Sequence, residues 1–149
     1  ERPDWLGPLQ ALENGFRALA LQGQGRTLDS EIFVREFLKS DRIRPKTHIA
    51  VARMFTELGS PEIAHQILTE SYSRNSEDQP VLSALVLNDI ELGRDRDFVN
   101  HLRDLLRMRV PDQTVLFQAY LELGSDRHLF LGDREILLSR IEELIVRPS

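Results

Sequence analysis

Three glycines, Gly25, Gly59 and Gly93, stand 34 residues apart, and Gly124 follows 31 residues later. Three of the four close the same tripeptide, as Glu57-Leu58-Gly59, Glu91-Leu92-Gly93 and Glu122-Leu123-Gly124. A fixed period in this range is the mark of stacked helical hairpins, each too small to bury its apolar face alone. The expected fold is therefore all-α, with glycine ending a helix once per repeat because it accepts the left-handed backbone of a C-cap.

Start signals follow the stops. Ser60-Pro61-Glu62 combines an N-cap residue, a first-turn proline and an acid that suits the helix dipole. Asp78-Gln79-Pro80 and Pro111-Asp112 do similar work one helix later. Eight helices are predicted, over 8–22, 28–40, 46–58, 61–74, 79–92, 95–108, 112–123 and 133–146. The stretch from Ser125 to Gly132 is longer than the other turns and contains Leu129, Phe130 and Leu131. Its apolar residues are expected to fold back over the last hairpin.

Apolar positions recur in register with the glycines. Ala18, Ala52 and Val86 lie seven residues before them, small enough to let helices cross closely. Ser30, Ala64 and Phe98 lie five after; Val34, Leu68 and Leu102 nine after; Phe37, Ser71 and Leu105 twelve after. Spacings of this kind share one helix face, and these residues are the predicted core.

Composition narrows the chemistry. The chain has 149 residues, 41% hydrophobic and 29% charged, which suits a folded globular protein rather than a disordered one. Its net charge of −5 repels phosphate backbones, so nucleic acid is not an expected partner. Absence of cysteine excludes disulfides and thiolate metal sites. No apolar run approaches the roughly 20 residues of a membrane span. The chain begins Glu1-Arg2-Pro3, with neither an initiator methionine nor a signal peptide, and reads as part of a longer or processed protein.

At these residues the pattern resembles the tetratricopeptide repeat family. Residues 46–79 carry it best, with small Ala52, aromatic Phe55 four before the turn, the Leu58-Gly59 ending, and Ala64 and Leu68 beyond it. Residues 12–45 and 80–110 match more loosely, and the last hairpin departs through its longer loop. Where the family has an aromatic, Leu21, Phe55, Asp89 and Tyr120 stand in the four repeats. The resemblance implies a right-handed superhelix of about four antiparallel hairpins, an α-solenoid whose irregular last hairpin serves as a cap. The approximate repeats are 8–42, 46–76, 79–109 and 112–146 of a single domain over 1–149. It also implies that the first helices line a concave groove holding a peptide or a partner's helix.

Residues ten, six, three and two before each glycine are those the resemblance aims at the groove. They include Gly15 and Leu19; Ile49, Arg53 and Glu57; Ser83, Leu87, Ile90 and Glu91; Gln118, Leu121 and Glu122. The surface so built is an apolar strip edged by three glutamates. Glutamate in a last turn opposes the helix dipole by a few tenths of a kcal/mol, which makes its repetition notable. Such a surface suits a basic or amphipathic segment. The glutamates can equally be neutralised locally by Arg94 or Arg127 as ordinary surface pairs. The lysine, asparagine and arginine clamp with which some family members hold a C-terminal carboxylate is not matched, since Ile49, Leu87 and acids occupy those places and Arg53 is the one cation.

Outside that surface, Asp89 is the anomaly, because a carboxylate at a core position needs a partner. It is either a recognition site or half of a structural pair with Arg53 or Arg96. His48, His65, His101 and His128 fall in different hairpins without metal-binding spacing. No phosphate loop, dinucleotide fingerprint or nucleophile elbow occurs. Arg96, Arg103 and Arg107 form a stripe interleaved with Asp95, Asp97 and Asp104, and are read as a solvated face. Ile136, Leu137, Leu138, Ile141, Leu144 and Ile145 give the final helix a broad apolar stripe, which seals the stack or docks on a further repeat or a second copy.

The expectation is a non-catalytic protein-interaction module without cofactor or metal. Its partner residues are Ile49, Arg53, Glu57, Leu87, Ile90, Glu91, Gln118, Leu121 and Glu122. The alternative is a structural or self-associating segment acting through the C-terminal helix.

Overall fold

A computed structural model describes residues 6–109 and 111–146. Among them the secondary structure is entirely helical: α1 (Leu6–Gly23), α2 (Thr27–Leu38), α3 (Pro45–Glu57), α4 (Pro61–Arg74), α5 (Gln79–Leu92), α6 (Asp95–Leu106), α7 (Gln113–Leu123) and α8 (Arg134–Val146), with a 3-10 turn at Asp126–His128. Each helix lies within two residues of its expected bounds. The chain forms two compact units, Glu1–Val81 and Leu82–Ser149.

Three of the repeat glycines make the same turn. Gly25, Gly59 and Gly93 have φ of +80°, +83° and +69°. In each case the glycine N–H bonds the carbonyl three back, and the next N–H bonds the carbonyl five back: Arg26 to Leu21, Ser60 to Phe55 and Arg94 to Asp89, at 2.9, 2.9 and 3.0 Å. This is the Schellman arrangement, which satisfies carbonyls that a helix end would leave bare. The residue after each glycine then starts the next helix, since its carbonyl receives the N–H of Ser30, Ala64 or Phe98. One residue thus closes one helix and opens another.

Gly124 differs. Its φ is −75°, and the chain runs on into the 3-10 turn instead of reversing in two residues. Caps also differ from expectation in one place. Asp78 and Asp112 accept the N–H of Val81 and Val115, but Ser60 makes no side-chain cap. Its hydroxyl instead accepts from Gln22 Nε2 at 2.6 Å, which joins the first two repeats.

Within the first unit α1 packs on α2 and α3 on α4, and like meets like, α1 against α3 and α2 against α4. Gly15 is buried here rather than open to a binding surface. A Cβ on it would stand 3.1 Å from the Phe37 ring, so its missing side chain is what lets α1 and α2 approach. All twelve predicted core residues in the three registers after the glycines and the one before are buried. Burial of a large apolar side chain is worth about 1.5–3 kcal/mol, the kind of gain that helices of this length need to persist in water. Two of the twelve are serines, and both have partners: Ser30 donates to the Ala18 carbonyl at 2.6 Å, and Ser71 faces His48.

Arginines close helix ends that the turns do not. Arg74 donates to the carbonyls of Leu38 and Ser40 at the end of α2 while pairing with Glu70. In the second unit Arg127 donates to the Gly93 carbonyl at 2.8 Å, and Arg134 to that of Leu123 at 2.8 Å. There α8 packs on α7 and α6, and Tyr120 donates to Glu142 at 2.6 Å. Leu129 and Phe130 do not tuck inward as expected, being 52% and 95% exposed. His128 fills the space instead, buried with its ring 5.7 Å from that of Phe98. The 3-10 turn that seats the imidazole carries the next two residues outward.

Alanine at Gly25 should cost roughly 1–2 kcal/mol through left-handed strain alone. At Gly93 the new Cβ would also sit 2.6 Å from Arg127 Nη2. Gly93→Ala should therefore cost on the order of 0.5–1 kcal/mol more, the worth of a part-exposed charged contact. Urea unfolding in wild-type and Arg127→Ala backgrounds checks this. The excess disappears in the second background if Arg127 is its cause.

Candidate functional site

The expected partner residues are distributed over α3, α5 and α7. On α3, Ile49, Arg53 and Glu57 follow at four-residue spacing and so share a face. Ile49 is half-buried, and Arg53 and Glu57 are exposed. On α5, Leu87 and Ile90 are half-buried and Glu91 is exposed. On α7, Gln118 is exposed and Leu121 is 73% exposed, with Phe117 beside it at 52%. Each helix therefore does present an accessible aliphatic residue with a polar or acidic neighbour. Leu19 and Ser83 are buried and belong to the interior instead.

The glutamates do not form a uniform set. Glu57 and Glu91 are exposed, whereas Glu122 Oε1 lies 2.9 Å from Nε2 of buried His128. Neither arginine proposed to neutralise the ladder does so. Arg127 is held by Asp95 at 2.8 Å and Arg94 approaches Asp97 at 4.0 Å. Histidine was the missed partner, and its signal was its place in the longer last turn.

Asp89 is wholly buried, and its partner is neither Arg53 nor Arg96. His101 Nδ1 stands 2.5 Å from Asp89 Oδ2. Asp89 lies four residues before Gly93 and His101 eight after it. The same two positions hold Leu21 and Phe33, and Phe55 and Ile67, in the earlier repeats. The polar substitution is thus double and in register, a sign that was legible in the alignment of the repeats. Burial works against the His101 charge, but the hydrogen bond to Asp89, its negative charge and those of Asp97 and Asp104 outweigh it, and the pKa is raised above 6.5.

His48 shows the opposite case in the first unit. It is buried, with Nδ1 2.9 Å from Ser71 Oγ and its ring edge-on to Phe37 at 5.5 Å. Nε2 has no hydrogen-bond partner. Burial, and then the charge of Arg74, push its pKa down to about 4. A proton on Nε2 would point at no acceptor, so the ring is built to stay neutral.

No group of three or more histidine, aspartate or glutamate side chains suited to a metal is present among the described residues. No helix among them is long and apolar enough to cross a membrane. The chain matches no protein-family model, no curated protein and no solved structure. The class defined by fold alone is an all-α protein with helical repeats in register.

The histidines give the two units opposite pH responses. His101 has a raised folded pKa, so its contribution is complete below 6.5 and fades as pH rises through the folded value. His48 has a lowered one, so its contribution is complete above 6.5 and fades as pH falls towards 4. Imidazole proton shifts followed by NMR should show His48 titrating near 4 and His101 above 6.5. Replacing His101 by Asn should remove the alkaline loss of stability and leave the acid limb in place.

Proposed function

We propose that the chain is a tetratricopeptide-like helical-repeat module that binds other proteins and carries no catalytic or cofactor chemistry of its own. The reading is supported by three identical Schellman turns at the 34-residue spacing, with small and apolar residues buried in register around them. The single observation that carries the binding role is that α3, α5 and α7 each present accessible aliphatic residues beside polar or acidic ones. On α5 these are Leu87, Ile90 and Glu91; on α7 Gln118 and Leu121; and α3 offers Ile49, Arg53 and Glu57. Aliphatic anchors beside exposed glutamates suit a basic amphipathic segment, whose apolar side chains would dock while its lysines or arginines meet the carboxylates. Glu122 contributes less to such a surface, because His128 already engages it.

A second reading is self-association through α8. It is favoured by Ile136, which is 70% exposed on that helix. Sedimentation over a wide concentration range decides it, since a species that stays monomeric throughout ends the idea.

Partner capture by wild type should be lost in a Leu87→Asp, Ile90→Ser variant and weakened about tenfold or more by Glu57→Lys with Glu91→Lys, two exposed changes that spare the core. Helicity and melting are measured alongside. Capture that survives both variants overturns the assignment of these residues.

A further inference from the structure

The α6 and α8 helices of the second unit border an open cleft of about 420 Å³ lined by Arg103, Leu106, Arg107, Asp133, Leu137 and Arg140, with Ile136 at its wall. Its floor is aliphatic. Leu106 and Leu137 are 6% and 4% exposed, while Ile136 projects and also borders a second, shallower depression on α8. Of the four charged side chains lining the cleft, three are guanidinium groups, in a chain whose net charge is −5. Arg103 and Arg107, two of the three arginines expected to form a solvated stripe, thus meet an arginine and an apolar wall supplied by α8.

The arginines are not equally committed. Arg103 pairs with Asp133 across the two helices and so helps to hold the cleft's shape. Arg107 and Arg140 make single contacts three residues along their own helices, to Asp104 at 3.3 Å and Glu143 at 3.0 Å. Exposed pairs of this kind are weak and exchange readily. Each guanidinium has five N–H donors, so most remain for an incoming carboxylate, which it can grip through two parallel bonds.

We propose that this cleft is a docking site for an acidic amphipathic segment of another protein, with an aliphatic or aromatic side chain seated on Leu106, Ile136 and Leu137 and flanking carboxylates held by Arg107 and Arg140. Charge complementarity selects this occupant. A second copy of the chain meeting the cleft symmetrically would bring arginine against arginine, a costly pairing. The proposal is independent of the expected partner residues on α3, α5 and α7, which include three glutamates and lie on different helices.

The test uses the whole chain and two fluorescent twelve-residue peptides. Both carry leucine and phenylalanine at helical i, i+3, i+4 and i+7 spacing; one has glutamate and aspartate between them and the other lysine. The acidic peptide should bind saturably, with amide shifts concentrated at α6 and α8. Arg107→Glu with Arg140→Glu should weaken it at least tenfold, Ile136→Ala by several-fold, and Leu87→Asp with Ile90→Ser not at all. Higher salt should also weaken it. The arginine variant exchanges two exposed i,i+3 pairs for like-charge neighbours at Asp104 and Glu143, so its melting temperature should fall only slightly. Binding of the lysine peptide at α6 and α8, shifts of the acidic peptide located elsewhere, or full affinity in the arginine variant overturns the proposal. So does concentration-dependent association of the free protein that Ile136→Ala abolishes and the acidic peptide fails to reverse.

Discussion

The left-handed glycine turn is the constraint on which the rest of the structure depends. With φ positive at Gly25, Gly59 and Gly93, the residue that follows is close enough to bond back five positions and is already in place to start the next helix. Two residues then suffice to reverse the chain, and partners across the turn are fixed by counting. Ala18 and Ser30 are twelve apart and bonded, and so are Asp89 and His101. A longer or looser link would leave that register open. The identical spacing of the three glycines follows, because a helix pair closed by this turn must have nearly constant length for core residues to stay aligned with the next pair.

Polar residues admitted to that register carry their partners with them. Ser71 occupies a place held by Phe37 and Leu105 in the neighbouring repeats, and His48 supplies its contact. Asp89 occupies the place of Leu21 and Phe55, and His101 replaces Phe33 and Ile67 on the facing helix. Buried polar groups are costly when alone and tolerable when matched. The two imidazoles nevertheless shift in opposite directions. One faces a carboxylate and its pKa rises, while the other, buried beside a hydroxyl with a guanidinium nearby, has its pKa lowered to about 4.

Much of the helical framework was legible in the sequence because glycine, proline and aspartate act through local backbone chemistry, and the three-, four- and seven-residue spacings of the core follow from the helix itself. What was not legible depended on side chains competing for one site. Ser60 has the chemistry of an N-cap, yet a glutamine 38 residues away claims its hydroxyl. Gly124 stands in the right place for a left-handed cap, but the chain beyond it has a 3-10 turn to make. Leu129 and Phe130 have the character of core residues, but His128 with its two-sided contacts, ring on Phe98 and Nε2 on Glu122, takes the interior position. Of the residues aimed at a groove by repeat position, Leu121, Glu57 and Glu91 are accessible, while Gly15, Leu19 and Ser83 are buried. A position within a repeat predicts direction, but how deeply a residue lies depends on the size of its neighbours.

The departure of the fourth turn is also what gives the second unit its distinct chemistry. A two-residue reversal at Gly124 would have set the following helix closely against α7, as α2 is set against α1. The longer connection instead brings in Arg127 to close the carbonyl of Gly93, and Arg134 to close those of Leu123 and Gly124. It also delivers Asp133 to Arg103, which fixes the start of α8 beside α6. Arg140 and Ile136, one turn apart on α8, then border the same cleft as Arg107. Had the period held at 34 residues, the arginine stripe of α6 would have remained a plain charged surface. The irregular spacing makes part of it one wall of an open, apolar-floored cleft.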